Sequence, residues 1–210
     1  NLEDVPQTMI DAVISIEDRR FYQHYGLDPV RIAKAVLVNA ENGDIVEGGS
    51  TITQQLARNL FLTLDQTWSR KFQEAVYAAK LEMHFSKDQI LETYLNTIYY
   101  GHGVYGIQKA AAFFFGKELN DCPLGEMAML AGIPNGPSLF SPFISMDNAR
   151  SRQAVVLQAM VDNEKLSQSE ADSAKAQPVL LADFSTQKIM GSSGYYKDAV
   201  LAQLKEMGFL

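Results

Sequence analysis

Helical periodicity, clear helix punctuation and a scarcity of strand signals predict an all-α fold. Apolar residues recur at helical spacing in Ile90, Leu91, Tyr94, Leu95 and Ile98. Phe72, Ala75, Val76, Ala79 and Met83 repeat the pattern one segment earlier, and Val155, Val156, Ala159 and Met160 repeat it later. Strand-like alternation is rare. The one Asn-Gly pair, Asn42-Gly43, follows a helical pattern rather than a β-rich run.

The elements are marked at both ends. Asp28-Pro29 offers an N-cap followed by a proline in the first turn. Ser50 reads as the cap of a helix with Thr53 and Gln54 in its first turn. Ser86 with Gln89, and Ser167 with Glu170, read as capping boxes. Gly26, Gly43, Gly48-Gly49, Gly101 and Gly116 read as stops. About nine or ten helices are expected, with loops at 43–50, 99–106 and 133–146. Residues 178–210 read as a linker and terminal segment, weakest at 178–194, where Ser, Gly and Gln concentrate.

Composition removes several classes. The 210 residues are 47% hydrophobic and 20% charged, as in a globular protein. With 14 Gly, 7 Pro and no long heptad run, disorder, collagen and coiled coil are excluded. No apolar run approaches the ~18 residues of a membrane span. The single Cys122 excludes an internal disulfide and a Cys-rich zinc site. A net charge of -7 argues against nonspecific nucleic-acid binding and a polybasic anchor. The charge is uneven: Glu17–Lys87 holds nine acids and nine bases, so the remaining 16 acids and 9 bases carry the whole -7. The start at Asn1, without Met or a leader pattern, reads as a fragment of a longer chain.

Four clusters within this frame have the residue types of chemistry. In Glu17–Pro29 an apolar helix ends in two acids, two arginines, aromatics and His24. It reads either as a charged helix end with local ion pairs or as a carboxylate at the rim of an apolar pocket. In the second case desolvation brings the acid toward a general base's working range. His24, His84 and His102 lack metal-site spacing. In Glu47–Asn59 two glycines precede a helix rich in hydroxyls and amides, which fits an anion site or a tight turn with its cap. Arg70 and Glu74 share a helix face beside Lys71, as a surface ion pair or as an acid between cations facing a metal or diphosphate. In Tyr94–Ile107 aromatics alternate with glycines, as in a sugar-lining loop or a plain connection.

Their order and spacing are more specific than any one of them. EDRRFYQHYG at 17–26, GGSTITQQLARN at 48–59, RKFQE at 70–74, KDQILETYLNTIYYG at 87–101 and AGIPNGPSLFSP at 131–142 stand in sequence. The set resembles the peptidoglycan glycosyltransferase domain (glycosyltransferase family 51) of class A penicillin-binding proteins and monofunctional transglycosylases. The resemblance covers roughly residues 3–160, and the transferase domain is placed at 1–177. The stretch Gly194–Val200 is similar to the segment that leads to the transpeptidase domain in bifunctional members.

The resemblance implies a lysozyme-like fold with a larger head lobe and a small membrane-facing jaw lobe, here near residues 30–47. Ile32, Ala35, Val36, Leu37, Val38, Ile45 and Val46 concentrate there. It implies polymerisation of lipid II into β-1,4 glycan, with inversion and release of polyprenyl diphosphate, at the extracytoplasmic face of a bacterial membrane. Glu17 matches the base that deprotonates the acceptor hydroxyl. Glu74 matches the second catalytic glutamate, near the donor diphosphate and a divalent metal, Mg or Mn. Gly49, Ser50, Thr51, Thr53, Gln54, Gln55, Arg58, Arg70 and Lys71 match substrate contacts, as do Asp18, Phe21, His24, Asn96 and Tyr99. Gln66 and Gln73 stand where many members carry Arg and Lys. A lysozyme-like glycan-cleaving enzyme needs neither Arg70-Lys71 nor Gln54-Gln55, and a non-catalytic scaffold needs neither Glu17 nor Glu74. The two acids are expected to face one cleft, with their carboxyls at the upper end of the ~6.5–9.5 Å separation of inverting glycosidases or wider.

Overall fold

The computed structural model describes residues 1–43, 48–62, 68–183, 199–202 and 204–205. Ile45, Val46, Gln66 and most of Gly194–Val200 therefore lie outside the described residues. Among those described there are ten α-helices up to residue 176, further helical residues at 199–202 and 204–205, and no strand; β-pairing is limited to the isolated bridges Tyr25–Leu27 and Tyr99–Tyr105. The helices are α1 Gln7–Glu17, α2 Pro29–Asn42, α3 Ile52–Phe61, α4 Trp68–His84, α5 Lys87–Thr97, α6 Ile107–Phe115, α7 Leu124–Gly132, α8 Pro137–Phe140, α9 Met146–Asp162 and α10 Gln168–Ala176. The expected loop at 133–146 is partly helical: Ile133–Asn135 is a 3₁₀ turn and α8 follows, each with a proline at its start.

Most helix starts follow the local chemistry. The Asp28 carboxylate accepts from Val30 and Arg31 N–H at 3.0 and 3.1 Å, opening α2. Ser86 with Gln89 and Ser167 with Glu170 form their capping boxes. Gly43 and Gly116 close α2 and α6 in the left-handed region at φ 68° and 66°. The cap of α3 is a correction: it is Thr51, not Ser50. Thr51 Oγ1 accepts from Gln54 N–H and Gln54 Oε1 accepts from Thr51 N–H, at 3.1 and 3.0 Å.

The chain forms two compact units, Arg20–Tyr94 and Asn1–Arg19 with Leu95–Leu210. The second is organised on α7, whose residues Gly125–Gly132 are all buried. A helix apolar all round belongs inside a core, and α7 packs against α1, α6, α9 and α10. Its one charge, Glu126, is held by Lys117 Nζ at 2.8 and 2.9 Å. Gly106, at φ +86°, lets the chain pass the end of α5; a Cβ there would lie 2.8 Å from the Asn96 carbonyl oxygen.

In the Arg20–Tyr94 unit α3 packs on α4. Gly26, at φ +79°, allows close approach to α4: a Cβ would meet the Ala78 backbone at 3.0 Å. The periodic face of α4 points the other way from a core face. Phe72, Val76, Ala79 and Met83 are exposed, and the buried side is Glu74, Ala78 and Leu81. Helix α2 is similarly reversed. Ala35 is buried, while Val30, Ile32, Val36 and Leu37 are exposed.

Candidate active site

Glu17 is the last residue of α1, whose buried positions include Met9, Ile10, Ala12 and Val13. That apolar stripe drives the helix into the core and carries the carboxylate with it, leaving Glu17 7% exposed. Its charge acts on two partners in the same unit. Burial first, and Glu17 second, push the Tyr100 phenol far above the ordinary range. Burial lowers the Arg152 guanidinium, and Glu17 opposes that shift.

Arg152 carries no signal in the sequence beyond a place on a helix. In the structure its guanidinium carbon lies 5.5 Å from the Phe140 ring centre, and its Nε is buried without a hydrogen bond among the described residues. The Gly132 backbone gives it room: a Cβ there would lie 2.7 Å from the Arg152 Cγ. Glu17 is buried and Arg152 half-buried, so the interaction between their charges is less screened than on a surface.

Three other residues expected at the site, Asp18, Asn96 and Tyr99, belong to this unit, and Asn96 is half-buried. Asp18, 0% exposed, ends α1 with its N–H on the Ile14 carbonyl. Tyr99 is half-exposed, with its ring 4.6 Å from that of Tyr105.

The Arg20–Tyr94 unit holds the remaining residues. Phe21 and His24 are buried, with ring centres 6.3 Å apart. Of the α3 residues expected to touch substrate, three are committed to the fold. Thr51 is fully buried and donates to the Gly26 carbonyl at 2.6 Å besides capping α3. Thr53 is fully buried and donates to Glu82 Oε1 at 2.6 Å. Gln54 closes the capping box. Gln55 accepts from the Tyr94 hydroxyl at 3.2 Å, and Arg58 is half-buried in the last turn. Gly49 lies against α2, 3.5 Å from the Ile32 Cα when given a Cβ. Arg31 Nε donates to the Gly48 carbonyl at 3.2 Å.

Ser50 and the 70–74 segment form one ionic cluster. Lys71 Nζ reaches Ser50 Oγ at 2.7 Å and Glu74 Oε2 at 2.8 Å. Arg70 Nε stands 3.2 Å from the other Glu74 oxygen. Glu74 is 0% exposed, Arg70 16% and Lys71 44%. The surface reading of this pair therefore does not hold. The three charges sum to +1, and Lys71 carries it toward solvent. Each Glu74 oxygen faces a cation, so a divalent metal held there would share the carboxylate with Arg70 and Lys71. Gln73 is exposed on the same helix.

A family model described as Transglycosylase matches residues 1–161. Penicillin-binding protein 2D of Bacillus subtilis is 42% identical over 205 residues, covering 98% of this chain and 30% of its own length. Penicillin-binding protein 1A of Haemophilus influenzae is 48% identical over 179 residues, 85% of this chain and 21% of its own. The crystal structure of Penicillin-Binding Protein 1A from Haemophilus influenzae aligns with 99% of this chain and 21% of that one, at a TM-score of 0.53 and 25% identity. The chain thus spans less than a third of the curated relatives it matches.

Proposed function

The chain belongs to the transglycosylase family, and from that premise we propose that it polymerises lipid II into β-1,4 glycan. The observation that carries the reading is Glu17, a buried carboxylate at the end of α1 whose charge acts on Arg152. Glu17 takes the proton of the acceptor sugar's 4-hydroxyl. That oxygen attacks the donor's anomeric carbon while the bond to the diphosphate breaks. One displacement turns an α-linked donor into a β-linked product, so no covalent sugar intermediate is needed. Charge grows on the leaving diphosphate, and the surplus cation of the Arg70–Lys71–Glu74 cluster answers it. No step is routed through a metal. Substrate contacts are then assigned to Ser50, Gln55, Arg58, Lys71, Asn96 and Tyr99 rather than to the capping residues. Incubating the chain with labelled lipid II tests the reading: polymer supports it, and cleavage of preformed glycan with no polymer overturns it.

Arg152 gives the second test. The Glu17 charge acts on the Arg152 guanidinium, so the two are electrostatically coupled. Arg152→Met keeps the length of the side chain and removes the charge. Polymerisation is expected to fall by about 10²-fold, as on loss of one preorganised electrostatic contact. A fall in melting temperature is expected with it, because the buried Glu17 carboxylate loses a neighbouring cation. Retained activity would remove Arg152 from the site.

The same reading places the chain at the extracytoplasmic face of a bacterial membrane, joined in the full protein to a transpeptidase domain. Support for the membrane contact comes from α2, where Val30, Val36 and Leu37 are 56%, 62% and 64% exposed. An outward apolar face on a helix seeks a lipid or protein surface. Among the described residues no helix is long and apolar enough to cross a membrane. Replacing Val36 and Leu37 with Ser is expected to weaken co-sedimentation with liposomes several-fold, and unchanged binding would place the contact elsewhere.

A further inference from the structure

Glu82 lies outside the five sequence segments that define the site, yet it joins three of them. It stands on α4, eight residues beyond Glu74, with its side chain 5% exposed. One oxygen, Oε1, accepts from Thr53 Oγ1 at 2.6 Å and from Lys87 Nζ at 2.7 Å. Lys87 opens α5, is 17% exposed, and holds its ammonium 4.4 Å from the Phe21 ring centre. A single carboxylate oxygen thus ties the first turn of α3, the start of α5 and the 3₁₀ turn Phe21–Gln23 to the helix that carries Arg70, Lys71 and Glu74.

A Thr hydroxyl inside a helix ordinarily turns back to its own preceding carbonyl. Thr53 instead reaches across to a neighbouring helix. Thr51 pins the same turn of α3 to Gly26. The turn is therefore held from two directions, which fixes its rotation about the helix axis. That rotation sets where Ser50, one residue before the cap, meets Lys71. A buried pair of this kind gives little net stability over an apolar isostere, so its geometry is what distinguishes it.

We infer that Glu82 is a positioning residue, holding α3 and the Phe21 turn in the register that aligns substrate on Ser50 and Lys71. The kinetic part of this inference rests on the proposed polymerisation; the structural hold on α3 does not.

Glu82→Gln keeps an acceptor for Thr53 and removes the charge that holds Lys87. It is expected to lower kcat/KM by about 10–100-fold, mostly in kcat, since misalignment costs turnover more than binding. Glu82→Asp keeps the charge and is expected to recover to within about tenfold of the parent. Glu82→Gln combined with Lys87→Met leaves no unpaired charge. If Glu82 positions, the double variant regains the melting temperature and kcat stays low. Recovery of kcat in the double variant, or an unchanged kcat/KM in Glu82→Gln, overturns the inference. Amide hydrogen exchange supplies a readout independent of turnover: Glu82→Gln is expected to speed exchange across residues 51–57 and leave 107–115 unchanged. Unchanged exchange at 51–57 overturns it whether or not the chain polymerises. A parent chain that makes no polymer overturns the proposed function, and the exchange result then decides the hold on α3 by itself.

Discussion

Glu17→Gln is expected to abolish detectable polymerisation while the helical circular-dichroism spectrum stays that of the parent. The amide matches the carboxylate in shape, so the packing of α1 on α7 and α9 is undisturbed. What disappears is the proton acceptor, and removal of a general base costs about 10²–10⁴-fold. The end of α1 magnifies the effect. Water is scarce around a residue 7% exposed and cannot readily substitute as base. The loss of negative charge also leaves the half-buried Arg152 without the charge that opposes its desolvation. A small fall in melting temperature is therefore expected together with the loss of turnover. Near-parental turnover would reject Glu17 as the base.

Caps and glycines were legible because their hydrogen bonds are local. Asp28, Ser86 and Ser167 meet partners two or three residues away, and nothing distant competes. At α3 two hydroxyls stood side by side, and the choice depended on distant groups. Lys71, 21 residues along, takes the Ser50 hydroxyl, and the capping box falls to Thr51 with Gln54. Thr51 and Gln54 are named as substrate contacts by the family resemblance, and in the structure both hold the cap of α3.

Periodicity located α4 and left its orientation open. The helix has apolar residues on the outward side at Phe72, Val76 and Met83, and charges inside at Glu74, so the hydrophobic stripe pointed away from the core. The period fixes the helix but not which of its faces the rest of the chain covers. Arg152 and Glu82 were invisible for a related reason. A charge on a helix carries no local mark of burial, and both acquire meaning only through residues far away in sequence.

Glu74→Gln is expected to damage stability and turnover together, unlike the change at Glu17. Both Glu74 oxygens face cations, at 3.2 Å from Arg70 Nε and 2.8 Å from Lys71 Nζ. The glutamine amide presents N–H donors to one of those cations, so one contact turns repulsive. Breaking a fully buried pair costs about 3–5 kcal/mol. Lys71 is 44% exposed and water screens its share, so about 2–3 kcal/mol is the expected loss. For a chain of this size that lowers the melting temperature by about 5–10 °C. Turnover falls because Lys71 is no longer held between Glu74 and Ser50. The combination Glu74→Met with Arg70→Met separates the two effects. Removing both charges of the inner pair restores stability, as apolar replacements of buried pairs do. It leaves Lys71 without its carboxylate, so polymerisation stays low. A Glu74→Gln chain that melts like the parent would show that the acid does not hold its cations. A double variant that regains activity would reduce Glu74 to a structural counter-charge.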